Sequence, residues 1–120
     1  MLLQTPTPEI SKLEANLCSA LSDPTRILIL YTLNEHSHNI TELTQQLGTP
    51  QPKTSRHLRV LRDLGLVLTK RQGTKITYEL ADCPLIEALN ILRGVLHDSI
   101  TNQANLFAEL EIVNQNYVRR

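Results

Sequence analysis

Two short helical patterns, separated by a turn that contains glycine and proline, constrain this chain more than any other feature. The first pattern covers residues 42–47 and stops at Gly48. The second begins just after the turn and ends at Gly65, with its prolines confined to the entry. Two short helices joined by about four residues that include glycine are typical of a helix-turn-helix. The pattern predicts this motif over about residues 41–64.

A β-hairpin is predicted directly after this motif. Residues 66–70 are rich in apolar and β-branched side chains, and residues 75–80 alternate apolar with polar side chains. Gly73 lies between the two runs and can adopt the positive φ that a tight hairpin turn requires. A two-stranded hairpin in this position is a wing, over about residues 66–80.

Helical patterns also flank the motif at both ends. Apolar residues recur at helical spacing over about residues 8–22, and leucines recur with the spacing of a helix-packing seam over about residues 84–117. A minimal winged helix needs neither segment, so we expect both to form a dimer interface. The 120-residue length suits one domain. The predicted fold class is therefore mainly α with a small β-hairpin: a single winged helix-turn-helix domain, 1–120, dimeric through its N- and C-terminal helices.

The charge distribution points to nucleic acid, although the net charge is zero. The chain has 12 basic and 12 acidic residues, but the window from Lys53 to Lys75 holds seven Lys and Arg residues against Asp63 alone. A local positive patch on a neutral protein attracts phosphate. A solvated charged face is the alternative. Aromatic residues are scarce, which disfavours a stacking platform for single strands.

Several stretches of the chain resemble the ArsR/SmtB family of bacterial regulators. They are residues 20–27, 51–62 and 65–67, together with the basic hairpin over 71–80, and the resemblance covers roughly residues 10–97. It implies a homodimer that binds a palindromic operator in double-stranded DNA. It also implies repression of transcription until an effector releases the protein from that operator.

The predicted DNA-binding residues lie on the second helix of the motif and at the wing tip. Gln51 matches the edge of adenine, and Arg56 or Arg59 matches guanine bidentately. The other hydroxyl and cationic side chains of this helix are expected at phosphates. The wing-tip residues Arg71, Gln72 and Lys75 are expected either to enter the adjacent minor groove or to clamp phosphates. For His57 the alternative is helix packing or a bond to a neighbouring loop, and for Arg62 a surface ion pair. The predicted set is Gln51, Lys53, Thr54, Ser55, Arg56, His57, Arg59, Arg62, Arg71, Gln72 and Lys75.

The resemblance implies an effector, and the residues missing from this chain restrict which effector it can be. One metal site of the family uses two cysteines at the start of the third helix, where this chain has Asn39 and Thr41. Another uses an Asp-x-His pair on the last helix, where this chain has the adjacent His97 and Asp98. Neither set fits, so no metal site and no cofactor is predicted, and a metal effector stays an open alternative.

Two cysteines and two histidines remain as sensor candidates. Cys83 lies at the start of the predicted C-terminal helix, a position where thiols are more reactive than usual. Cys18 lies beside the apolar stripe of the first helix, where we expect a small buried side chain. A redox-, persulfide- or arsenite-responsive sensor that uses both thiols is one alternative, and a repressor without an effector is another. His36 and His38 are expected in a solvated loop, with too few ligands for a metal.

Other classes of function fit less well. Ser55 and His57 have no evident orienting carboxylate, and no glycine-rich phosphate loop exists, so no catalytic residue and no enzyme is predicted. A protein-binding winged helix is the remaining alternative, but it would not need arginines spaced along the second helix. The N-terminus shows no export or membrane-spanning pattern, so a cytoplasmic location away from the membrane is expected.

Overall fold

The computed structural model describes residues 5–118, with side chains described up to residue 112. The described elements follow in the order α1 (Pro8–Ala20), α2 (Pro24–Glu35), α3 (Ile40–Leu47), α4 (Gln51–Asp63), β1 (Val67–Gln72), β2 (Lys75–Leu80) and α5 (Leu85–Val118). One compact unit ends at Cys83, and a second, which contains α5, begins at Pro84. The predicted class, mainly α with one β-hairpin, is confirmed.

The helix-turn-helix begins slightly earlier than the sequence pattern predicted. The side chain of Asn39 accepts a hydrogen bond from the backbone N–H of Glu42 at 2.8 Å, and the Glu42 carboxylate accepts from the backbone N–H of Asn39 at 3.2 Å. This capping box satisfies two backbone donors at the helix start. The helix α3 therefore begins at Ile40 rather than after Thr41. Gly48 ends it with a φ of 65°, as expected for a left-handed cap.

The core of the first unit forms where α2, α3, α4 and the hairpin meet. Leu58 and Leu61 of α4 point inward, but Leu64 is 41% exposed. Each three-residue step along an α-helix turns back by about 60°. Leu64 is therefore rotated off the side that buries Leu58. The buried apolar residues of this unit are Ala20, Ile29, Leu30, Leu33, Leu43, Leu58, Leu61, Leu66 and Val67.

The predicted wing is confirmed and is joined to the loop between α2 and α3. Strands β1 and β2 pair antiparallel along their whole length, and Gly73 turns the chain between them with a φ of 64°. His38 and Tyr78 exchange two backbone hydrogen bonds of 3.0 and 2.8 Å. His38 is 3% exposed, so the expectation of a solvated loop is wrong at this residue. Pairing with β2 buries it and fixes the base of the wing.

The two flanking helices leave apolar side chains exposed. In α1, Ile10 and Leu13 are 47% and 63% exposed. In α5, Leu85 and Leu89 are buried. The exposed apolar residues of α5 are Ile91, Leu92, Val95, Leu96, Ile100, Leu106, Phe107, Leu110 and Ile112. The predicted stripe also includes Val113, whose side chain lies outside the described residues. Apolar surface of this extent is typical of an interaction site. Among the described residues, no helix is long and apolar enough to cross a membrane.

Candidate nucleic-acid interface

The helix α4 has one buried side and one exposed, basic side. Thr54, Leu58 and Leu61 are almost completely buried and attach the helix to the core. Most of the polar and charged side chains of the helix lie on the other side and are open to solvent. The predicted DNA-binding residues among these exposed positions are Gln51, Lys53, Ser55, Arg56, Arg59 and Arg62. The fold therefore gathers six of the eleven predicted residues on the exposed side of one helix.

Two grooves run along the flanks of this helix. The groove beside the wing is lined by Ser55, Leu58, Arg59, Arg62 and Tyr78. The groove beside α2 is lined by Arg26, Lys53, Arg56, His57, Arg59 and Val60. The helical repeat separates these sets, because Lys53 and Arg56 lie on the opposite flank from Ser55 and Arg62. Cationic side chains are thus available on both flanks of α4.

Thr54 and His57, both predicted to bind DNA, do not belong to the exposed side. Thr54 is 0% exposed, and its hydroxyl donates to the carbonyl oxygen of Pro50 at 3.2 Å. His57 is 7% exposed and bonds to α2, which is the packing role given above as its alternative. Neither side chain is available to a duplex in this arrangement. We therefore leave both out of the proposed DNA contacts.

His57 connects α4 to the start of α2 through a small polar cluster. The Arg26 Nε donates to His57 Nδ1 at 3.0 Å, and Arg26 Nη1 donates to the carbonyl oxygen of Ala20 at 3.1 Å. Because Nδ1 accepts, the neutral ring carries its proton on Nε2. That Nε2 lies 3.9 Å from Asp23 Oδ1, which is too long for a hydrogen bond. Within the described part of the chain, this buried Nε2 has no hydrogen-bond partner.

The electrostatics of this cluster favour a neutral histidine beside an ionised carboxylate. Burial lowers the pKa of His57 below its ordinary value of 6.5; the negative charge of Asp23 opposes this, and the neighbouring cations lower the pKa further. Partial burial acts to raise the pKa of Asp23, but backbone N–H groups of Thr25 and Arg26 donate to its carboxylate and lower the pKa overall. At neutral pH, His57 is therefore an uncharged acceptor for Arg26.

The wing carries the other three predicted DNA-binding residues. Arg71, Gln72 and Lys75 are exposed at the tip of the hairpin, on either side of the turn. Lys70 Nζ lies 3.2 Å from Glu79 Oε2 across the two strands, so that cation is already paired. Among the described residues, no ion pair involves Arg71 or Lys75. The tip therefore presents two uncompensated positive charges.

The sensor candidates are only partly where the sequence suggested. Cys18 is exposed, so the expectation of a buried side chain is wrong, because α1 is exposed over almost its whole length in the single chain and buries only Ala20. Cys83 is half-buried just before α5. The rings of His36 and His38 stack at 4.0 Å with a 13° angle, so their in-plane lone pairs do not converge on one ion. Among the described residues, no three His, Cys, Asp or Glu side chains group to hold a metal.

The fold and this surface define a winged helix-turn-helix DNA-binding protein. The model of the bacterial regulatory protein arsR family matches residues 23–69. The biofilm growth-associated repressor of Xylella fastidiosa (strain Temecula1) is 40% identical over 78 residues, which cover 65% of this chain and 68% of that protein.

Solved structures agree with this assignment. The crystal structure of Mycobacterium tuberculosis Rv0081 matches with a TM-score of 0.74 and 31% identity, covering 82% of this chain and 99% of that one. A homodimeric winged helix-turn-helix domain from Mycobacterium bovis, solved by NMR, matches with a TM-score of 0.61 and 25% identity, covering 79% and 89%. This chain belongs to the ArsR family of bacterial regulatory proteins. The predicted resemblance is confirmed, and so is the predicted function of a DNA-binding transcriptional regulator.

Two residues at the candidate interface were not found by sequence reasoning. Tyr78 was assigned only to the alternating pattern of a strand, yet it lines the groove beside the wing. Arg26 was noted only as part of the family-like stretch 20–27, yet it lines the groove beside α2 and bonds to His57. The available signal was that Arg26 is the single basic residue of α2. Its partner lies 31 positions away, so local spacing did not indicate the contact.

We expect the His57→Gln variant to reduce the loss of stability between pH 7.5 and pH 5.5. The folded protein lowers the pKa of His57 from 6.5. As pH falls through that value, the unfolded chain therefore binds protons that the folded chain does not, and the free energy of unfolding decreases. Above pH 6.5, the contribution of the neutral His57 to the free energy of unfolding is fully present. The measurement is the urea midpoint at both pH values, and His97→Gln on the exposed part of α5 is the control. An unchanged pH dependence in His57→Gln would contradict the prediction.

Proposed function

We propose that this protein is a homodimeric repressor that binds a palindromic operator in double-stranded DNA through α4 and the wing. The observation that carries the proposal is the exposed basic side of α4, which is followed in the chain by a wing tip with unpaired Arg71 and Lys75. The repressor name of the Xylella fastidiosa relative supports the direction of regulation. The protein would work in the cytoplasm, together with the DNA.

The exposed side of α4 has the width and chemistry to enter a major groove. The groove is about 12 Å wide and admits one α-helix. Gln51 matches adenine, while Arg56 and Arg59 at the outermost positions match guanine bidentately. Lys53, Ser55 and Arg62 lie on the flanks, where the sugar-phosphate backbones would pass. Arg71, Gln72 and Lys75 of the wing would hold the neighbouring backbone or minor groove.

A homodimer is supported by the apolar surface that α1 and α5 each expose. Side chains such as Leu13, Leu92 and Leu96 are more than half exposed in the single chain. Burying them against a second copy is favourable at about 25 cal/mol per Å². The homodimeric Mycobacterium bovis domain supports the same assembly. Two recognition helices about 34 Å apart would then meet half-sites one helical turn apart.

The Arg56→Ala variant tests sequence-specific binding directly. We expect a lower affinity for the operator. We also expect the difference in binding free energy between the operator and an unrelated duplex to shrink by about 1–3 kcal/mol, because a bidentate contact to guanine discriminates by that amount. The measurement is fluorescence anisotropy with the upstream DNA of the gene and with an unrelated duplex. Lys12→Ala on α1 removes the same charge and is the control. An equal loss for both duplexes would make Arg56 a phosphate contact only.

The wild-type protein in that experiment also tests the proposed function as a whole. With six to ten phosphate contacts, affinity should fall by ~10³–10⁵-fold between 50 and 200 mM salt. Failure to bind either duplex at low salt would overturn the DNA-binding proposal and leave the protein-binding winged helix as the alternative. Salt-dependent binding without operator preference would leave DNA binding in place and remove sequence specificity.

Replacing Leu96 by Glu should dissociate the dimer. The side chain is 58% exposed in the single chain, so the substitution adds no charge to the folded core of the protomer. A charge buried at the interface without a partner costs several kcal/mol. Sedimentation equilibrium at micromolar concentration is the measurement. Thr101→Glu, on the opposite side of α5 by helical phase, is the control. A dimeric Leu96→Glu variant would exclude this part of α5 from the interface.

A thiol-responsive version of the same repressor is a second candidate. The observation that favours it is that both cysteines are free, with Cys18 exposed and Cys83 half-buried. Free thiols that solvent reaches are the ones that oxidants modify. Oxidation near α1 or near the start of α5 would then alter the proposed dimer, and with it the spacing of the two recognition helices.

We expect mild peroxide treatment to weaken operator binding by the wild-type protein and to leave Cys83→Ser binding tightly. The serine variant keeps the size of the side chain but cannot form a sulfenic acid or a disulfide. Anisotropy before and after oxidation, with reversal by a thiol reductant, is the measurement. Cys18→Ser shows whether both sulfurs take part. Equal binding before and after oxidation would retire the thiol proposal and leave the repressor proposal intact.

A further inference from the structure

The groove between α2 and α4 collects positive charge around a rigid base. Arg26, Lys53, Arg56 and Arg59 line it, together with His57 and Val60, and none of its lining residues is acidic. A neighbouring carboxylate, Asp23, accepts hydrogen bonds from two backbone N–H groups of α2 and lies 3.9 Å from the His57 ring. The negative charge of Asp23 is therefore used to cap the start of α2. The groove has the composition of a site for an anion.

Arg26 is held in place before any ligand arrives. Two of its five N–H donors are used within the described part of the chain, at His57 Nδ1 and at the carbonyl oxygen of Ala20. The remaining donors of the guanidinium are not used by these bonds. A side chain fixed at two points loses little conformational entropy on binding. Arg26 is half-buried, whereas Lys53, which lines the same groove, is exposed. The pair therefore combines a guanidinium that is already oriented with an ammonium group that is free to adjust.

The buried His57 gives a second reason to connect this groove with a ligand. It is 7% exposed, and its Nε2 has no hydrogen-bond partner among the described residues. A ring held neutral accepts from Arg26, whereas a protonated ring would repel it and could not accept at Nδ1. An unsatisfied buried donor has a cost in stability. Each such group in a folded protein calls for an explanation, and a functional role or a bound ion is among the recognised ones.

The geometry of a major groove indicates what the anion is. A helix inserted there has a phosphodiester backbone along each of its two flanks. The wing flank of α4 offers Ser55, Arg62 and Tyr78 to one backbone. The α2 flank faces the other backbone, and Arg26 with Lys53 are the cations that line that groove and lie apart from the base-facing side.

We propose that Arg26 and Lys53 form a phosphate-binding site beside α2, which holds a phosphodiester of the DNA strand opposite the wing. His57 is the positioning residue that orients the Arg26 guanidinium. This inference rests on the proposed DNA-binding function and adds Arg26 to it. A free phosphate or phosphorylated small molecule has the same chemistry, and the experiment below separates the two sources.

The test is the salt dependence of DNA binding by Arg26→Gln. Loss of one phosphate contact should make the slope of log K against log salt shallower by about 0.9 per half-site. Affinity should fall by about tenfold for the operator and for an unrelated duplex alike, as is typical of backbone contacts. Lys12→Gln, with the same change in net charge, should keep the wild-type slope. An unchanged slope in Arg26→Gln would overturn the proposal.

Arg26→Gln also removes the hydrogen bonds of Arg26 to His57 and Ala20, so a second variant is needed that leaves those bonds in place. Lys53→Gln removes the other cation of the site at an exposed position and should give the same change in slope. The double variant should lose less affinity than the two single losses combined, because both side chains share one phosphate. Fully additive losses would overturn the shared site. His57→Gln should weaken binding at pH 7.5. His57→Asn should recover part of it, because the Asn Oδ1 can accept from Arg26 near the position of the imidazole Nδ1.

Two further outcomes identify failures of different kinds. Inorganic phosphate at constant ionic strength could raise the unfolding midpoint of the wild type but not of Arg26→Gln. If Arg26→Gln also keeps the wild-type slope of log K against log salt for DNA, the site takes a free anion and its assignment to DNA is overturned. If the wild-type protein binds no duplex at low salt, the proposed function itself fails. Wild-type binding with an unchanged Arg26→Gln slope overturns only the site.

Discussion

The attachment of α4 to the core is the interaction on which the rest of this structure depends. Thr54, Leu58 and Leu61 bury one side of the helix and so set its rotation about its own axis. That rotation decides which side chains face solvent. Since the helix contributes both to the core and to the DNA surface, a change in its phase would bury arginines and expose leucines. The apolar packing and the basic surface are therefore two consequences of one constraint.

The wing depends on a second, smaller constraint at its base. A two-stranded hairpin is marginally stable by itself in water. Here the backbone of His38 pairs with Tyr78, and the buried Val67 anchors the first strand. The pairing fixes the end of the hairpin next to α4 and leaves the tip with Arg71 and Lys75 exposed. A fixed base and an open tip suit a wing that must follow the contour of a DNA backbone.

The single chain buries its inner core but leaves a large outer apolar surface in water. Ile10 of α1 and Val95 of α5 are examples of large apolar side chains left in water. A chain of this length buries a limited core, so stabilisation by a second copy is physically reasonable. A regulator that reads a palindrome gains from the same contact. Assembly and DNA recognition would then be linked through the spacing of two α4 helices.

The sequence by itself determined the elements of this protein, because their signals are local. Gly48 and Gly65 at the ends of short helices, the alternation before Leu80 and the cluster of cations after Lys53 were enough to predict a winged helix-turn-helix and its basic surface. Only the tertiary structure decided which of those residues reach the surface. Cys18 is exposed where a buried side chain was expected, and His57 is buried in the packing role that was the alternative to DNA binding, since burial depends on contacts between helices.

The bond between Arg26 and His57 shows the same limit most clearly. It joins residues 31 positions apart, and neither belongs to a local pattern that indicates the other. Helical periodicity tells which residues share a side of one helix, but it does not tell which side of another helix they meet. Sequence therefore determined the helices, the wing and the sign of the charge. Tertiary packing decided the rotation of α4, the pairing of Arg26 with His57 and the two cationic flanks, because these depend on contacts between segments distant in the chain.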